Sequence, residues 1–137
     1  MKLEYLNDIT AGGKYPLADP DKLIRLYAFT PLEARELCRA IGEQLVSGHG
    51  RVEVHGLNFV QALNCTLTLI AADKNEGIAL PADGKNFRCL LTREAYTTMA
   101  SLVGHFANPG HALIGYHWLY VADEEQVDLL LSPRGTW

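Results

Sequence analysis

The 137-residue sequence predicts an α+β domain in which a mainly antiparallel sheet of six to seven strands carries two long helices on one face. Three observations lead there. Two stretches place apolar residues at helical spacing behind a threonine, and the segments around them alternate or run apolar over strand lengths. A gapless shift of 62 positions then lays residues 30–72 over 92–134 with the same succession of features. The identities at that shift include Thr30/Thr92, Gly42/Gly104, His55/His117, Leu67/Leu129 and Leu69/Leu131. They point to a duplicated strand-helix-strand-strand module, with a pseudo-repeat over 23–80 and 86–137 inside one domain that spans 1–137.

Each element has a local cause. Leu3, Leu6 and Ile9 lie three apart, which predicts a short first helix that Gly12 and Gly13 stop. Residues 14–21, with Pro16 and Pro20, form an extended loop because each proline disfavours helix in its predecessor. Leu23 to Phe29 is apolar apart from Arg25 and reads as a buried strand. Thr30, Pro31 and Glu33 supply a cap, a first-turn proline and the acid of a capping box for a helix whose stripe is Leu37, Cys38, Ile41 and Leu45. Glycines at 48 and 50 end it.

Residues 51–57 and 62–72 alternate apolar and polar, as in a hairpin covered on one face, and Gly77 to Leu80 adds a short strand. Asn86 to Leu91 mirrors the first buried strand, and Thr92 with Tyr96, Met99, Val103 and Phe106 mirrors the helix. Ala112 to Val121 is expected as a long aromatic strand, 122–126 as an acidic turn and Val127 to Leu131 as a last strand.

Composition narrows the function. A net charge of −4, with twelve basic residues dispersed singly, gives no patch able to track a phosphate backbone, so nucleic acid is not an expected partner. The longest apolar run, Leu67 to Ala72, falls far short of the ~20 residues a spanning helix needs. Lys2, Glu4 and Asp8 interrupt the first residues where a signal peptide would be apolar, and Cys38, Cys65 and Cys89 are an odd number set in apolar stretches. A cytoplasmic protein with reduced core thiols is expected.

Five histidines are the residues best suited to chemistry. If the two halves are equivalent, His55 and His117 sit on matching strands, and Glu53 lies two residues before His55 on the same face. Glu53, His55 and His117 are therefore the candidate ligands for a divalent metal. His49 and His111 follow helix ends, where the helix dipole favours an imidazolium and capping explains them. Tyr116, Trp118 and Tyr120 alternate along the last long strand, and Trp118, Tyr120 and Trp137 are the candidates for an aromatic binding patch.

The order strand, helix, strands is similar to that of the paired-module metalloenzymes of the vicinal oxygen chelate class. That class implies ligands on the first strand of a module, where this chain has Arg25 and Tyr27, then Arg88 and Cys89, so the likeness is one of element order. No serine elbow and no phosphate-cradling glycine loop occurs in the sequence. The leading expectation is a small non-catalytic cytoplasmic binding or protein-interaction module without a cofactor. The alternative is a metal-dependent small-molecule enzyme with its site between the two modules. A homodimer using the sheet face or its aromatic edge is expected in either case, because the open face is neither charged enough for solvent nor apolar enough for a core.

Overall fold

A computed structural model describes residues 1–8, 22–48, 50–122 and 126–137. In chain order its elements are β1 (Lys2–Leu6), β2 (Leu23–Tyr27), α1 (Pro31–Ile41), β3 (Arg51–Glu53), β4 (Gln61–Ala62), β5 (Thr66–Ala71), β6 (Gly77–Ile78), β7 (Asn86–Leu91), α2 (Arg93–His105), β8 (His117–Tyr120) and β9 (Asp128–Ser132). The class is α+β. The expected mainly antiparallel sheet of six to seven strands is corrected to two mixed sheets, one in the order β4-β1-β2-β9-β8 and one in the order β3-β5-β7-β6. In each, a central pair is parallel: β2 with β9, and β5 with β7.

Helix starts follow the sequence closely. Thr30 caps α1 with Glu33 completing the capping box, and Thr92 accepts a hydrogen bond from the Ala95 N–H at the start of α2. Helix α1 runs on as one π-helical turn over Gly42–Val46, which keeps Leu45 in the core. The two helices pack on each other, with the Cys38 thiol donating to the Ala100 carbonyl at 3.2 Å beside Gly104. Instead of lying on one face of one sheet, they share a core with the inner faces of both. Ala34, Leu37, Ile41, Tyr96, Met99 and Val103 join Leu3, Ile24, Leu26, Leu129 and Leu131 of one sheet and Val52, Leu67, Leu69, Phe87 and Cys89 of the other. Tyr5 against Phe87, ring centres 4.6 Å apart, joins the two inner faces directly.

The expected first helix is a strand. Leu3 and Tyr5 turn to the core while Glu4 turns outward to Arg25, its partner across the β1–β2 pair, so a period of two overrides the three-residue spacing. That helix's last residue, Ile9, and the loop 14–21 lie outside the described residues. The hairpin of 51–57 with 62–72 survives as the pair β3–β5, but Val54–Gly56 forms a 3-10 turn and Gln61–Ala62 leaves to pair with β1 of the other sheet.

The gapless duplication does not hold. Ile24 faces Leu129 as Phe87 faces Leu67, an equivalence of 63 positions, whereas His117 faces Leu131 as Val52 faces Leu69. His117 therefore matches Val52, and His55 falls in the 3-10 turn. One extra residue beside Ala28, whose φ is +51°, separates β2 from its helix cap.

The outer face of the five-stranded sheet is covered by the chain after β9. Arg25, only 5% exposed, makes hydrogen bonds of 2.6 and 2.9 Å to Glu4, donates to the Gly135 carbonyl at 2.7 Å and stacks 4.4 Å from the Tyr27 ring centre. Three kinds of partner thus satisfy a cation that burial alone would expel. Gly135, at φ +70°, sits where a side chain would press on Tyr27 and Arg25. The outer face of the four-stranded sheet, with Thr66, Thr68 and Arg88, is open.

Tyr96 ties α2 to the parallel pair β5–β7. Its buried hydroxyl accepts from the Ile70 N–H at 3.0 Å and donates to the Cys89 carbonyl at 2.7 Å, and burial pushes its ionisation far above the ordinary tyrosine range. Removing it strands a buried amide. Tyr96→Phe is expected to lower stability by about 1–3 kcal/mol in chemical denaturation, while Tyr116→Phe on the surface leaves it unchanged. A Tyr96→Phe protein as stable as the wild type would contradict this role.

Candidate functional site

The metal candidates divide between the two sheets. Glu53 and His55 line a groove of about 500 Å³ on the open face of the four-stranded sheet with Arg51, Thr66, Thr68 and Arg88. His55 Nδ1 lies 3.1 Å from the Leu67 carbonyl oxygen. A carbonyl only accepts, so that nitrogen carries the proton and Nε2 keeps its lone pair. The Glu53 carboxylate is 3.3 Å from Arg51. His117 opens β8 at the edge of the other sheet, so Glu53, His55 and His117 are not brought together. Among the described residues no three His, Cys, Asp or Glu side chains form a metal-holding group. The reason is that β3 and β8 are edge strands of different sheets.

His117 instead meets the end of α2. Its Nε2 is 3.1 Å from His105 Nδ1, and Phe106 packs between His117 at 5.2 Å and His111 at 5.0 Å. Partial burial, then the neighbouring His105 and His111, hold His117 below the ordinary histidine range. His111 lies beyond the end of α2, which Phe106 caps, so the expected capping role is corrected; its Nδ1 accepts the Leu113 N–H at 2.9 Å. His49 lies outside the described residues. Sequence reasoning missed His105 because its companion is twelve residues away along a loop. The only local signal was its place at a predicted helix end.

The aromatic candidates also divide. Trp118 and Trp137 pack edge to face with ring centres 5.9 Å apart, and Tyr116 extends the chain 6.2 Å from Trp118. Together with Leu23 and Leu130 they occupy the outer face of the five-stranded sheet. Tyr120 leaves that row. A register shift between Trp118 and Tyr120 turns it inward, where its hydroxyl meets Gln126 over Gly77. Gly77, at φ +74°, has no room for a side chain, because a β-carbon would overlap both the Tyr120 hydroxyl and the Gln126 amide oxygen.

The expected strand 112–121 shrinks to His117–Tyr120 because Leu113 and Gly115 take positive φ values of 50° and 88°. Among the described residues, what remains is an edge unlike the other three. Strands β4 and β6 are two residues long, and β3 carries Arg51 and Glu53, so length or charge guards each. Strand β8 and its flanks, Ala112 to Ala122, contain no proline and no Asp, Glu, Lys or Arg. They also hold exposed apolar side chains, with Ile114 62%, Tyr116 44% and Val121 68% accessible.

A second groove of about 500 Å³ runs between α1 and β3 over Phe59. Arg39 meets Glu36 at 2.5 Å and Glu43 at 4.0 Å, and Arg51 meets Glu53 at 3.3 Å, so the lining is acidic by one charge and offers an anion nothing. The chain matches no protein-family model, no curated protein and no solved structure.

The thiols offer no activated nucleophile. Burial pushes both Cys65 and Cys89 up to about 12, and it raises Cys38 as well. At pH 8 the folded protein is expected to react with a thiol reagent at least tenfold more slowly than the unfolded chain, which releases three equivalents. One cysteine reacting in the folded protein as fast as free cysteine would reverse this reading.

Proposed function

We propose that the chain is a non-catalytic protein-interaction module that works as a homodimer joined through β8. The observation that supports this most is the unguarded edge. A terminal strand free of charge and proline, flanked by exposed Ile114, Tyr116 and Val121, is a template for another strand. A second copy is the occupant we commit to, because antiparallel pairing of β8 with itself is an isologous contact that needs one self-complementary edge. The joined sheet carries the Trp118–Trp137 pair of each copy on its outer face, as a continuous surface for a further protein partner. Three free cysteines support a reducing, cytoplasmic setting.

Light scattering tests the assembly. The wild type is expected to have the mass of two chains at tens of micromolar, and Tyr116→Lys/Val121→Lys, which adds guarding charge at two exposed positions, the mass of one with a cooperative melting transition that no longer depends on concentration. A wild type that stays at one chain up to millimolar concentration would sink the proposal, as would a double variant that remains dimeric.

A further inference from the structure

We propose that His105 and His117 form a two-histidine site for a late first-row divalent ion, Zn²⁺ or Cu²⁺, clamped between the end of α2 and the start of β8. The distance is the first reason. Ions of this kind bind imidazole nitrogen at ~2.0–2.1 Å, which sets two nitrogens on one ion ~2.9 Å apart at adjacent square-planar positions and ~3.3 Å apart at tetrahedral ones. His105 Nδ1 and His117 Nε2 are 3.1 Å apart, between those limits. The rings are inclined at 60° with centres 5.0 Å apart, so nitrogen approaches nitrogen and the faces do not stack. Without an ion the same approach is an N–H···N hydrogen bond between the two rings, which an ion would replace.

Preorganisation is the second reason. His117 is held by its register with Leu131 in β9 and by the Phe106 ring beneath it, and His105 by the last turn of α2. The entropy of bringing two ligands together is met by the fold, and an ion binds the pair as a chelate. On binding, the ring that donates the hydrogen bond between them shifts its proton to its far nitrogen, so that Nε2 of His105 and Nδ1 of His117 carry the protons.

The neighbours define the site's limits. His111 is 5.0 Å from Phe106, but its Nδ1 accepts the Leu113 N–H, so its proton sits on Nε2 and no lone pair is left to donate. Since no third His, Cys, Asp or Glu among the described residues completes a group, water fills the remaining positions. An all-imidazole pair without carboxylate selects the zinc and copper end of the series over calcium or magnesium. The ion would tie helix to edge strand and stiffen the segment between them.

The test uses the full chain without an affinity tag, titrated with Zn²⁺. Saturable binding of one ion per chain is expected, with the histidine ring ¹⁵N signals of His105 Nδ1 and His117 Nε2 moving first and the melting temperature rising. His105→Ala, at an exposed helix end, should weaken binding at least tenfold and abolish the rise, whereas His111→Ala should leave the affinity within twofold. Binding unaffected by His105→Ala, first shifts at His55, equal loss in His111→Ala, or no saturation up to millimolar Zn²⁺ would each overturn the site. Should His117→Ala fail to fold, His105→Ala and the ring signals of the wild type still decide it.

Discussion

The two parallel strand pairs, β2 with β9 and β5 with β7, are the constraint on which the rest of this structure depends. Parallel neighbours cannot be joined by a tight turn, so each pair closes a long stretch of chain before its contacts form. Burial offsets that cost. Ile24, Leu26, Leu129 and Leu131 in one pair, and Leu67, Leu69, Phe87 and Cys89 in the other, are almost wholly removed from water. Neither half of the chain can complete a sheet alone, because each sheet takes its central parallel pair from both halves. The position of β8 follows, since β9 is its strand neighbour and the end of α2 meets it at His117.

The two sheets use their outer faces differently. On one, the buried Arg25 recruits Glu4, the Gly135 carbonyl and the Tyr27 ring, and the covering segment brings Trp137 to Trp118. A buried cation with this many partners contributes specificity to how that segment lies, since losing any one partner leaves charge unsatisfied. On the other sheet the face remains polar and open, with its charges largely matched within β3. The asymmetry concentrates exposed aromatic surface at the β8 end of the molecule, where the histidine pair also lies.

Much of the local structure was legible in the sequence. Thr30 and Thr92 mark both helix starts, and Asn86–Leu91 is a strand with the bounds its apolar run implied. The chemistry of caps and apolar runs is local, which is why it could be read. Partner choice between strands is not local, and nothing in the residues of β2 distinguishes a parallel neighbour from an antiparallel one. Leu3 and Leu6 satisfied a helical spacing by chance, while Glu4 met Arg25 only through pairing. Of the site residues, Trp118 and Trp137 pack edge to face. Tyr120 is diverted by a register shift that no residue type announces, and His117 is separated from Glu53 and His55 because β8 and β3 belong to different sheets, a choice of strand partners that no local pattern shows. His105 became visible only once the helix end and the edge strand were placed side by side.

The central claim is that β8 is an edge made to be paired. Hydrogen–deuterium exchange on the peptide covering 117–120, compared at low and high protein concentration, tests it at the backbone itself, with the charged edge 51–53 as an internal reference. Pairing of β8 between copies predicts that amide exchange in 117–120 slows as concentration rises while 51–53 does not change. Equal exchange in 117–120 at both concentrations, in a sample that light scattering shows to be monomeric at the low one and dimeric at the high one, would place the contact elsewhere and contradict the account.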